Sequence, residues 1–119
     1  MPFYQGIVDA PGLPIISRVV EHAGVVFLCG VTADPVGDVA SQTRQVLERV
    51  DKLLASAGTD KSRLLTAQVW LSDMKDFQAH NAAWNEWVDP RHPPARACVQ
   101  AELWQHGMRV EIMVTAARP

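Results

Sequence analysis

One 3.6-residue apolar period, set between runs of two-residue period, limits what this chain can fold into. Val39, Thr43, Val46, Val50, Leu53, Leu54 and Ala57 recur at steps of three and four and make a single stripe. Asp38 stands where an N-cap belongs and Gly58 where a C′ residue belongs, so the spacing predicts a helix between them. A helix with one dry stripe must bury it on another layer. The flanking segments supply that layer. Residues 15–21 and 25–32 are β-rich and meet at the turn His22-Ala23-Gly24, the pattern of a hairpin.

Residues 64–71 read as a third strand, with Leu65, Ala67, Val69 and Leu71 on one face and Thr66, Gln68 and Trp70 on the other. Asp73 caps a second helix with Asp76 in its first turn, and its stripe is Met74, Phe77, Asn81, Trp84 and Val88. Pro90 ends it, and residues 91–94 form a stiff loop. Residues 97–104 and 108–116 read as two further strands joined by a turn at His106-Gly107. Pro11, Gly12 and Pro14 punctuate an N-terminal segment expected to be extended or looped. The order β-β-α-β-α-β-β predicts an α+β fold, one sheet with both helices on the same face, over residues 1–119 as a single domain.

Alternation then assigns sides. Ala97, Val99, Ala101 and Leu103 are expected to face the helices, with Val110, Ile112, Val114 and Ala116. Cys98, Gln100, Glu102, Trp104, Glu111, Met113 and Thr115 are expected on the other face, and Arg96 in phase with Cys98. A sheet face carrying Trp70, Trp104, Cys98 and Met113 together is more apolar than solvent favours, which points to burial against other subunits.

Composition excludes several classes of partner. The 119 residues carry 11 basic and 13 acidic side chains, a net charge of −2. That is too even for a chain whose main partner is nucleic acid or an anionic membrane. The start of the chain has neither a basic n-region nor an apolar h-region, and no run is long enough to span a bilayer. Cys29 and Cys98 form no disulfide framework and suit a reducing, cytoplasmic compartment. His22, His80, His92 and His106 are scattered, with none paired at metal-ligand spacing, so neither a metal nor another cofactor is expected.

Pro94-Ala95-Arg96-Ala97-Cys98-Val99 and Val110-Glu111-Ile112 resemble the PAR-x-C-V and VEI motifs of the RidA/YjgF/UK114 family, at the family's spacing. Residues 38–58 and 73–87, the latter including Asn81, resemble its two helices. Cys29-Gly30 stands where the family has Ser-Gly. The resemblance covers nearly the whole chain from Ile15 onward. It implies a fold like that of bacterial chorismate mutase, a homotrimer around a central β-barrel, and clefts between subunits. The implied activity is hydrolysis of reactive 2-imino or enamine acids to 2-keto acids and ammonia.

The resemblance assigns roles that suit the residues. Arg96, behind Pro93 and Pro94, offers a planar donor fork that matches a carboxylate; its other reading is a structural ion pair. Glu111 could orient or deprotonate a water, or simply pair with Arg109. Cys98 contributes backbone groups in the family, and no partner pattern supports a nucleophilic thiol. Gly30 permits close approach of a ligand or marks a strand-end kink. Asn81, a polar residue in an apolar stripe, either bonds backbone near a loop or touches substrate. Trp87 and Trp104 are core residues or cleft walls. The chain departs from the family at Pro14-Ile15-Ile16-Ser17: Ile16 replaces an aromatic that lines the cleft, and Val31 and Ala97 replace a common Gln and Ser. Two function classes follow: an imine deaminase, or a non-catalytic trimer that binds small carboxylates or a protein partner. RNA cleavage and mutase chemistry are disfavoured by the charge balance and by the weakness of fold as a guide to chemistry.

Overall fold

The structure is a computed structural model describing residues 1–119. Its elements are β1 (Phe3–Val8), β2 (Ile16–His22), β3 (Val25–Leu28), β4 (Val31–Thr32), α1 (Val39–Ser56), β5 (Leu64–Leu71), α2 (Phe77–Trp87), β6 (Ala95–Gln100) and β7 (Val110–Ala117). The α+β class holds, with one sheet and both helices on one face. The sheet order is β1-β2-β3-β7-β5-β6, and β4 pairs with β7 beyond the end of β3. All neighbours are antiparallel except β5 and β6.

The first helix forms as its stripe requires. Asp38 accepts from the Ser41 amide at 2.8 Å, and Gly58 and Thr59 donate to the carbonyls of Ala55 and Leu54, closing a Schellman motif. Val39, Thr43, Val46, Val50 and Leu54 are all buried, joined by Gln42 and Leu47. They pack on Val69, Leu71, Val110, Ile112, Val114 and Ala116 in one continuous core. The second helix begins later than the pattern indicates. Asp73 caps a 3-10 turn, Met74–Asp76, and the α-helix proper follows.

Four expectations need correction. Residues 3–8 form a strand that the order β-β-α-β-α-β-β lacks, because β2 offers an unpaired edge that they complete. Residues 25–32 are two strands, broken at Cys29-Gly30, where the chain passes from one part of β7 to another. Leu65 is exposed and Leu64 is buried, because a bulge between Leu64 and Thr66 shifts the register against β7. The fourth concerns β6, which ends at Gln100, so residues 101–109 are an irregular loop.

The sides of β6 are also the reverse of those expected. β6 pairs in parallel with β5, with Ala67 opposite Arg96 and Val69 opposite Cys98. Paired residues share a face, so Arg96 and Cys98 lie with the buried Ala67 and Val69 on the helix face. Ala97 and Val99 lie on the open face, and Val99 is 47% exposed. The apolar residues misled because the open face is itself apolar. Phe27 and Met113 are exposed on it, Trp70 is half-buried there, and Thr66 and Thr115 share a hydrogen bond at 2.6 Å. No element of this chain covers that face.

The β2–β3 hairpin gives a direct test. Ala23 and Gly24 both sit at positive φ, 52° and 79°, the combination a two-residue type I′ turn requires. Alanine is strained there, whereas asparagine is tolerated, so Ala23→Asn should stabilise the fold by about 1 kcal/mol. A urea titration with unchanged slope would register this as a higher midpoint, and an unchanged or lower midpoint would contradict the turn assignment.

Candidate functional site

Arg96 sits on the edge strand with its stem against α2. Its Nη1 donates to Nε2 of His80 at 3.1 Å and its Nη2 donates to Oδ1 of Asn81 at 2.8 Å. The guanidinium lies 5.1 Å from the centroid of the Trp84 ring, a cation–π contact. Trp84 lies four residues after His80 and three after Asn81, about one helical turn, so α2 forms a cradle for the cation. None of these partners is a carboxylate, and the charge of Arg96 is not neutralised within this chain. A guanidinium has five N–H donors, of which His80 and Asn81 occupy two.

One of the two roles expected of Asn81 is revised accordingly. It bonds neither backbone nor a loop; its carbonyl positions Arg96. His80 was legible in principle. It falls three residues after Phe77 and four before Trp84, on the buried stripe, where a titratable side chain stands out. It is fully buried, and burial followed by the neighbouring Arg96 charge lowers its pKa to about 4. It is therefore neutral at physiological pH. Gln42 is a second buried polar residue that periodicity passed over. It donates to the Gly107 carbonyl at 2.9 Å and accepts from the Arg109 amide at 2.8 Å, tying the loop before β7 to α1.

Glu111 lies on the open face, as expected. It is opposite Thr32 on β4 and Trp70 on β5. Burial raises its carboxyl above the ordinary glutamate range. Arg109 does not neutralise it, because Arg109 pairs with Asp76 at 3.3 Å. Gly30 sits directly against it: a Cβ at Gly30 would collide with Oε2 and come within 3.2 Å of Cδ of Glu111. The glycine is thus needed for the carboxylate to lie over the strand break.

Arg96 and Glu111 do not meet in one chain. Arg96 is level with Ala67 and Val114, so β5 and three residues of β7 separate it from Glu111. Strand geometry puts their backbones about 14 Å apart, and their side chains leave opposite faces. Cys98 is half-buried on the helix face, and burial raises its thiol, a poor state for a nucleophile at neutral pH. Ile16 is exposed at the start of β2. Trp87 is engaged in helix packing. Its Nε1 donates to the Asp51 carboxylate, and its ring touches Trp84 at 5.4 Å. Trp104, 74% exposed, rises from the 101–109 loop beside an open cavity of about 800 Å³ lined by Asp73, Gln100, Glu102 and Arg109 among others. No three His, Cys, Asp or Glu side chains gather as a metal site would need.

The family model described as endoribonuclease L-PSP matches residues 14–118, and so spans both halves of this arrangement. The chain belongs to the RidA/YjgF family. A RutC family protein of Haemophilus ducreyi is 44% identical over 102 residues, covering 85% of this chain and 87% of that one. The RutC family protein YoaB of Escherichia coli is 39% identical over 101 residues, covering 85% and 89%. Among solved structures, a YjgF family member from Neisseria meningitidis superimposes with a TM-score of 0.91 at 37% identity, over 100% of this chain and 96% of that one. In this chain Arg96 thus lies on the helix face of the edge strand and Glu111 on the open face.

The buried imidazole makes stability depend on pH. The folded pKa of His80, about 4, lies below the ordinary 6.5, so the unfolded chain binds more protons between these values. The contribution is present in full above pH 6.5 and is lost as pH falls towards 4. Its slope is at most about 1.4 kcal/mol per pH unit. Urea midpoints measured for wild type and His80→Gln at one protein concentration should converge across that window. Parallel pH curves would show that His80 does not titrate with unfolding.

Proposed function

We propose that this protein hydrolyses small 2-imino or enamine acids to 2-keto acids and ammonia, at clefts completed by a second copy of the chain. The observation that carries the reading is the Arg96 guanidinium, held by uncharged partners only and presented at a sheet edge. Such a fork fits a carboxylate bidentately, and a carboxylate is the one fixed anionic group of a 2-imino acid. A second copy is required because Arg96 and Glu111 lie on opposite faces of one chain. The uncovered apolar face with Phe27, Trp70, Val99 and Met113 supports assembly, and we assign it to a homotrimer around a central β-barrel in which residues 1–119 act as one domain. No helix is long and apolar enough to cross a membrane. We place the protein in the cytoplasm, the reducing compartment its two unpaired cysteines suit.

The chemistry then runs without a metal or other cofactor. Arg96 of one copy binds the substrate carboxylate. Glu111 of another takes a proton from a water as its oxygen attacks the imine carbon, giving a carbinolamine. The same proton passes to the amino nitrogen, the C–N bond breaks as Glu111 takes the hydroxyl proton, and the keto acid leaves with ammonia, which carries that proton away as ammonium. A carboxyl raised by burial is suited to both taking and returning that proton. Gly30 leaves room for Glu111, and the backbone at Gly30 and Cys98 could contact substrate. Asn81 acts through Arg96, and Ile16 forms an aliphatic wall. A binding trimer without turnover remains the second reading, motivated by Ile16 in place of the family's aromatic. RNA is not the expected substrate of a chain with net charge −2.

The test generates 2-iminopropanoate and 2-iminobutanoate with an amino-acid oxidase and lets semicarbazide compete for the imine. Wild type should accelerate keto-acid release. Arg96→Ala and Glu111→Gln should each lose about a hundredfold or more in rate while keeping the wild-type assembly. With Glu111 as base, the wild-type rate should fall as pH drops through its raised pKa. Carboxylate binding without turnover would select the binding trimer. A monomer in sedimentation at micromolar concentration would remove the inter-subunit site.

A further inference from the structure

The fully buried histidine behind Arg96 has a more specific task than filling the core. Nη1 of Arg96 can only donate, so the His80 Nε2 it touches at 3.1 Å must be the unprotonated ring nitrogen. The proton therefore lies on Nδ1, which donates to the Thr43 hydroxyl at 3.0 Å. Thr43 is itself fully buried on α1 and cannot move without repacking the helix pair. A line of fixed geometry thus runs from α1 through His80 to the cation on β6. Asn81 holds Nη2 at 2.8 Å, and the Trp84 ring supports the guanidinium from one side. One bond and a stacking face would still let the fork pivot about Nη2. The second bond, donated to His80, fixes the plane.

We propose that His80, oriented by Thr43, is a positioning residue that sets the plane of the Arg96 fork for a substrate carboxylate. The inference rests on Arg96 being the carboxylate anchor described above. The groups facing His80 agree with it: Thr43 from α1 and Arg96 from β6 are its polar neighbours, and neither is an acid that would charge the ring. An imidazolium would set a second cation against Arg96, and burial with that neighbouring charge keeps the ring neutral down to about pH 4.

The test uses the assembled protein, with sedimentation confirming wild-type size for each variant. Histidine 15N NMR of wild type at pH 7 should show the Nδ1–H tautomer for His80. Calorimetry with pyruvate, the keto-acid product, and turnover of 2-iminopropanoate report on the anchor. His80→Leu should raise the pyruvate Kd and the KM about tenfold, the size expected for one lost bond to a charged group, with a smaller change in kcat. His80→Gln, whose amide oxygen can accept the same bond, should recover most of that loss. Thr43→Val should give a mixed tautomer and an intermediate KM. A residue that only filled the core would change melting temperature and leave Kd and KM in place; that result, or an Nε2–H tautomer, overturns the proposal. Wild type that neither binds pyruvate nor turns over imine also overturns it. An Nδ1–H signal in that case would locate the failure in the carboxylate reading rather than in the histidine geometry.

Discussion

Three polar side chains in the dry layer between helices and sheet govern the organisation of this molecule. Gln42, Thr43 and His80 are buried where an unpaired donor or acceptor costs about 1–3 kcal/mol. Each is satisfied by a group far away in sequence. Gln42 ties α1 to the loop that starts β7, Thr43 ties α1 to α2, and His80 ties α2 to β6. The apolar core supplies most of the driving force for packing the helices on the sheet, but it is tolerant of small sliding movements. The hydrogen bonds remove that tolerance, because each is satisfied at one relative placement only.

The consequence for the candidate site is a division of charge. The cation of Arg96 is fixed by the helix layer and surrounded by neutral partners, while the carboxyl of Glu111 lies on the far side of the sheet over Gly30. Neither is neutralised at home. An uncompensated guanidinium at an edge and a desolvated carboxyl on an apolar face are both costly in an isolated chain. An anionic ligand relieves the first and a cation the second, and in the function proposed above a second copy of the chain brings them together. In the function proposed above, the uncovered face and the two unpaired charges belong to one arrangement.

The fold and the site were legible to different depths. The candidate residues Arg96, Glu111 and Gly30 could be named, through the resemblance of their segments to family motifs. Their sides of the sheet could not. Alternation on β6 was read by assuming that apolar residues face the core, which fails wherever both faces are apolar. Ala97 and Val99 point to the open face and Arg96 to the helices. The same assumption put Leu65 inside, where a bulge turns it out. His80 and Asn81 could be seen as polar interruptions of a stripe, but not that both converge on one guanidinium.

The sequence by itself determined the two helices, the caps of the first helix, and the residue types available to the candidate site, because these depend on local periodicity and backbone chemistry. Register, strand order and the pairing of buried polar groups were decided only in three dimensions. A parallel β5–β6 pair, a strand inserted between elements distant in sequence, and a histidine that bonds one helix and one strand all depend on long-range contacts. No local pattern encodes which partner a buried donor will find.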